Sequence, residues 1–155
     1  MLRLSKLTDY GTVVLSQMAQ QPQRQHTAAE LALRSHLAAT TVSKLLKQFA
    51  KAGLVTSHRG AHGGYTLARS PDSISAVQII DAIEGPVAIT QCSLSHNQCG
   101  IEAVCGIGHN WQRISLAIRD ALRTVSLTQL ARPAALPPRL DFGRVLDGAS
   151  QDRKQ

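Results

Sequence analysis

Cys92, Cys99 and Cys105 fall within fourteen residues of a chain that has no other cysteine. Three thiols cannot all pair as disulfides within one chain. Three closely spaced thiolates can instead hold a soft metal centre, zinc or an iron–sulfur cluster, once one further ligand completes the set. The surrounding stretch, QCSLSHNQCGIEAVCGIGH, carries Gly100, Gly106 and Gly108 and has no clear apolar period. It reads as a loop over roughly 88–108, and a loop of that length inside a small domain is unusual and often functional. Unpaired thiols fit a reducing compartment. The start, MLRLSKLTDYG, lacks the apolar run of a signal peptide, and no stretch is long and apolar enough to span a bilayer. The expected location is the cytoplasm, with no membrane partner.

The elements that must position these thiols are mostly helical. At 155 residues, 43% apolar but only 3% aromatic, the chain has room for one compact domain with an aliphatic core. Leu7, Val14, Leu15, Met18 and Ala19 recur at helical spacing and predict a helix around 8–20. Thr27-Ala28-Ala29-Glu30 is a capping box, so a short helix over about 28–34 follows, and Ser35-His36 turns the chain. Ala39–Ala52 reads as a third helix, apolar along Val42, Leu45, Leu46 and Phe49, with Gly53 as its stop. Leu54–Ser57 and Tyr65–Leu67 have strand composition and flank a glycine-rich loop with Arg59 in it. Ile74–Glu84 returns to helical spacing, capped by Ser73 or Ser75 and ended by Gly85-Pro86. Beyond the cysteines, Trp111, Ile114, Ile118, Ala121, Leu122 and Val125 make one face of a long helix over about 110–130. The tail after Arg132 is Pro-rich, then polar, and reads as disordered.

Charge separates the two halves. Residues 1–70 carry nine Lys or Arg against two acids, whereas residues 71–155 carry eight of each sign. The net charge of +7 therefore belongs to the first half, which suits a polyanion. A capped helix, a short turn and a second helix with a Thr/Ser/Lys face form a helix–turn–helix, whose second helix enters the major groove. On that helix Thr40, Thr41, Ser43 and Lys44 are candidate DNA contacts, with Lys47 and Lys51 read as phosphate contacts or solvated charges. The hairpin that follows makes a wing, with Arg59 and Gly60 at its tip and Arg59 suited to a narrow minor groove. The sequence shows no nucleophile–base pair, no paired carboxylates and no phosphate-binding glycine loop running from strand into helix, so an enzyme with a small-molecule substrate is not expected. A cluster carrier for electron transfer would need no groove-reading helix. A zinc or thiol-redox DNA-binding regulator remains compatible with the same residues.

Arg59-Gly60-Ala61-His62-Gly63-Gly64-Tyr65-Thr66-Leu67-Ala68-Arg69 resembles the wing motif RGxxGGYxLAR of the IscR/NsrR-type winged-helix iron–sulfur transcription regulators. LSKLTDYG at the start, KAGLV at Lys51–Val55 and the Ile79–Gly85 segment resemble further landmarks of that family. The resemblance covers about residues 1–130, and the LTDYG start and the sequence around Cys92 are most similar to the Suf-system regulators. It implies a mainly α fold with a small β-hairpin, a homodimer on a near-palindromic promoter duplex, and an iron–sulfur cluster, [2Fe–2S] or [4Fe–4S], that controls DNA affinity. Cys92, Cys99 and Cys105 fall where that family carries cluster ligands. Six residues separate Cys92 from Cys99, where five is common in the family, and His109 stands four after Cys105 rather than three. The fourth ligand is therefore open among Asp9 of the partner subunit, His109, His96 and an exogenous thiol. The implied organisation is a winged helix–turn–helix over 1–86, a cluster loop over 87–109, a dimerisation helix over 110–131 and the tail over 132–155.

Overall fold

A computed structural model describes residues 4–60, 63–88 and 108–132, with backbone only at 108 and 109. Its elements are α1 (Lys6–Ala19), α2 (Ala28–Ser35), α3 (Ala39–Lys51), β1 (Val55–His58), β2 (Gly64–Leu67), a 3-10 turn (Pro71–Ser73), α4 (Ala76–Glu84), α5 (Gly108–Arg123) and α6 (Leu127–Ala131). The architecture is mainly helical with a two-stranded antiparallel hairpin, the fold class that the periodicity predicts.

The apolar stripes of α1, α2 and α3 meet in one core. Val14, Leu15, Met18, Leu31, Val42, Leu45, Leu46 and Phe49 are fully buried, joined by Leu54, Ile74, Ile79 and Leu127. Gly11 lets the helices approach this closely. A Cβ there would lie 2.6 Å from Ile83 Cδ1 and 2.8 Å from Phe49 Cζ, well inside van der Waals contact. The glycine of the LTDYG segment thus marks where α1 crosses α3 and α4.

Helix ends follow side-chain chemistry. Ser5 caps α1 by accepting the Thr8 N–H. Thr27 accepts the Glu30 N–H at 3.1 Å. The Glu30 carboxylate turns to Arg24, at 2.8 Å, and to Arg34, at 3.7 Å, so the structure shows one half of the expected capping box at this helix. The turn between α2 and α3 closes at His36, which takes the left-handed conformation at φ 55°. Ser75, rather than Ser73, caps α4 in a full box with Gln78. Gly53, at φ 71°, follows α3 as expected.

Glu84 ties the end of α4 to the start of α1. Its carboxylate accepts the Ser5 N–H at 2.8 Å and the hydroxyl of buried Thr8. The Thr8 hydrogen bond, then the Ser5 N–H, hold the Glu84 carboxyl below the usual glutamate range. A lowered folded-state pKa gives stability that is present above the unfolded-state value, about 4.3. That stability is lost as pH falls through the lower folded value. Glu84→Gln is expected to flatten the acid limb of stability against pH below about 4.3 while leaving neutral-pH fluorescence and circular dichroism unchanged. The side chain is exposed, so solvent screening keeps the effect small.

One element differs from expectation. The segment expected as one helix over 110–130 is two. Helix α5 stops at Arg123, and Ser126 starts α6 with a capping box to Gln129. The cause is tertiary: the Ala76 N–H donates to Val125 O at 2.8 Å and the Leu127 N–H to Ile74 O at 2.7 Å. This Ser75–Ser126 bridge carries the chain back to the shared core, where α6 packs on α1 and Leu127 is wholly buried. The expected 110–131 dimerisation segment therefore ends in a core anchor.

Candidate functional site

Helices α2 and α3 pack as a helix–turn–helix. Burying Val42, Leu45, Leu46 and Phe49 forces the opposite face of α3 outward. That face presents a shallow concavity lined by Ala39, Thr40, Ser43, Lys44, Lys47, Gln48 and Lys51. Thr40, Lys44, Lys47 and Lys51 are exposed and Ser43 is half-buried. Thr41 is half-buried and lies outside that lining.

The hairpin pairs Val55 with Leu67 through to His58 with Gly64. A third segment lies beside it, because the His26 N–H donates to Tyr65 O at 2.9 Å and the Tyr65 N–H to His26 O at 2.8 Å. Gly64 is required by this closeness. A Cβ on it would sit 2.6 Å from His26 O. A Cβ on Gly63 would sit 2.8 Å from His58 O, so both glycines of the GGY segment are explained by backbone approach. The His58 ring contacts Thr66 Oγ1 at 2.9 Å and braces the strands. Arg59 and Gly60 are exposed at the tip, with Gly60 at φ 118°. Sequence reasoning missed His26, which is fully buried beneath the wing with Nδ1 3.6 Å from Glu30. No local pattern distinguishes it from a solvated histidine.

Electrostatics reinforce the shape. No acidic residue occurs between Glu30 and Asp72, while Arg34, Lys44, Lys47, Lys51, Arg59 and Arg69 all do. Helix α3 and the wing thus form a continuous stretch of chain with positive charge only.

The other site residues divide. Cys92, Cys99 and Cys105, with His96, lie outside the described residues, in the segment that joins α4 to α5. The backbone of His109 lies in the first turn of α5. Asp9 lies in the first turn of α1, exposed. Ser5 is the cap of that helix, and Asp9 takes no side-chain hydrogen bond or ion pair among the described residues. Those residues contain no ready group of three or more metal-ligating side chains, and no helix among them is long and apolar enough to cross a membrane.

At the α4–α5 junction, Asp81 holds Arg119 through both oxygens, at 3.0 and 2.8 Å. The same Oδ1 accepts the Val87 N–H at 3.0 Å. The hydrogen bonds that Arg119 donates to the Asp81 carboxylate raise its pKa above the ordinary value. Helix α5 buries Ser115 and half-buries Ile118 and Leu122, but leaves Trp111, Ile114, Leu116, Ala117 and Ala121 exposed.

Comparison with known proteins bears on this arrangement. Residues 4–133 match the Rrf2 family model, described as iron-dependent transcriptional regulator. The chain is 31% identical over 139 residues to protein rrf2 of Nitratidesulfovibrio vulgaris, covering 89% of this chain and 93% of that one. The solved structure of CymR, the global cysteine regulator of Bacillus subtilis, is similar at a TM-score of 0.64 and 29% identity, over 84% of this chain and 97% of that one. An IscR structure from T. potens is similar at a TM-score of 0.58 and 26% identity, over 99% of this chain and 93% of that one. With its winged helix, basic reading surface and these relatives, the chain belongs to the Rrf2 family of DNA-binding transcription regulators and is not an enzyme.

Proposed function

We propose that this regulator is a cytoplasmic homodimer whose promoter affinity is set by an iron–sulfur cluster on Cys92, Cys99 and Cys105, and that its targets are Suf-type cluster-assembly genes. The observation that carries the proposal is the placement of the three thiols in the single connection between α4, which packs on α1 and α3, and α5. A ligand gathered in that connection acts on both ends at once, as a two-state regulator requires.

The donor set fits such a group. Three thiols need one more ligand, and the free, exposed Asp9 is available to a second copy. Leu4, Tyr10 and Val13, apolar and exposed around it, support an approach of that copy to the start of α1. His109 is the alternative from the same chain. When bound, the cluster supplies a joint sensitive to iron supply and oxidants. The chain's own residues do the rest: the exposed side of α5, with Trp111 and Ile114, pairs with its copy, and each α3 enters a major groove. Thr40, Thr41, Ser43 and Lys44 meet base edges or phosphates, with Arg59 and Gly60 at the flanking minor groove.

Anaerobic reconstitution tests the cluster: a brown protein with matched iron and sulfide is expected, and a colourless zinc protein would overturn it. Titrating cluster-loaded and cluster-free protein against suf promoter DNA at matched salt tests the control. Equal affinities would overturn it. Asp9→Ala and His109→Ala identify the fourth ligand by which one changes the visible spectrum. For the wing, Arg59→Ala is expected to weaken operator binding by about 1–3 kcal/mol, read by fluorescence anisotropy. Unchanged affinity would remove Arg59 from the interface.

A second reading is favoured by one comparison. CymR of Staphylococcus aureus has been solved in an oxidized form and is 26% identical with a TM-score of 0.62. A thiol switch on the same cysteines would leave the protein colourless and make DNA affinity depend on a dithiol reductant alone.

A further inference from the structure

Among the described residues, two hydrogen-bonded attachments hold the C-terminal half of helix α5 on the DNA-binding unit. One is a pivot at its C-terminal end, where the Ser75–Ser126 bridge and buried Leu127 fix the chain. The other is Asp81, which grips Arg119 one turn before the helix ends. We infer that Asp81 is a specificity-determining positioning residue: by holding the Arg119 fork it fixes the angle of α5 on the winged helix, and thereby the operator half-site spacing a dimer accepts. This rests on the proposed pairing of α5 between two copies.

Three features support it. A bidentate carboxylate–guanidinium pair constrains orientation as well as distance, because both groups are planar. The side chains are 28% and 21% exposed, so the pair is partly withdrawn from solvent. The carboxylate is also held from a third side, since the Val87 N–H bonds to the oxygen that Arg119 Nη1 uses. Asp81 therefore cannot simply follow Arg119 if α5 tilts. The Asp120–Arg123 pair differs in kind: it is exposed and lies within α5, so it fixes no angle.

The lever is long enough to matter. With the pivot at its C-terminal end, the sixteen-residue α5 extends about 22 Å. A tilt of about 10° moves its far end by about 4 Å, more than the roughly 3.4 Å rise of one base pair. An ordinary surface ion pair would instead affect stability alone, and its loss would leave spacing untouched.

The experiment is operator selection from random duplex DNA, followed by one-base-pair insertions and deletions between the half-sites. The wild type is expected to lose about tenfold or more in affinity for each altered spacer. Asp81→Asn removes the charge and one acceptor, and Arg119→Lys removes the fork. Each is expected to lose no more than about threefold on the same spacers, with affinity for an isolated half-site unchanged. If Asp81→Asn fails to unfold cooperatively, Arg119→Lys carries the test. Strict spacing retained in the folded variants overturns this inference alone. A wild type that selects a single half-site overturns it together with the dimer.

Discussion

Replacing Lys44, Lys47 and Lys51 together by Ala is expected to reduce the slope of log K against log salt by about 2–3 and to weaken operator binding by about 100-fold. All three are exposed on the outer face of α3, around one concavity, and none has an ion-pair partner among the described residues. Each lysine against a phosphate releases about one counterion, so the slope counts the contacts. Lys47 and Lys51 lie further along the same exposed face, and phosphate contacts are expected of them. Lys44, nearer the helix start, can take a phosphate or a guanine. A drop of about 2 with altered preference at one base pair would assign Lys44 to a base, and a drop of about 3 without altered preference would assign it to the backbone. Because the side chains are solvated, stability should change little. A full salt slope in the folded triple variant would mean that this face of α3 does not meet DNA.

Leu127→Ala is expected to lower unfolding free energy by about 2–5 kcal/mol in urea titrations, a large share of the total for a domain of this size. Leu127 is wholly buried and its N–H is taken by Ile74 O. Removing the side chain opens a cavity between α6 and the core, while the backbone bridge that holds α6 in place limits collapse into it. Two controls sharpen the result. Leu127→Met conserves volume and should cost less than about 1.5 kcal/mol. Leu130→Ala, on the same short helix but 38% exposed, should cost far less than Leu127→Ala. A Leu127→Ala protein as stable as the wild type would mean that α6 is not docked.

The parts that sequence carried well are those set by neighbours along the chain. The stripe Val42, Leu45, Leu46, Phe49 requires α3 with its Thr/Lys face outward, and the GGY segment bounds a hairpin. The helix–turn–helix, the wing and their charge were legible for the same reason. Contacts between residues distant in sequence were not. Asp81 and Arg119 are 38 residues apart, and Thr8 and Glu84 are 76 apart; neither pair has a local signature. Helix α6 is an intermediate case. Ser126 and Gln129 form a capping box visible in the sequence, but Val125 continues the apolar period of α5 across it. The bridge to Ile74 and Ala76 overrides that period. At Thr27 the reverse occurs, because Glu30 finds Arg24 and Arg34 and leaves the box half made.

The return of Leu127 to the core also sets an order of events on the ribosome. Residues 4–88 supply both reading elements, yet their core stays open until a residue 39 positions further on has been made. At ordinary elongation rates that takes roughly 2–8 seconds. All three cysteines are synthesised in that interval. A nascent chain therefore carries its whole cysteine segment before the residue that closes the core of its DNA-reading half has been made.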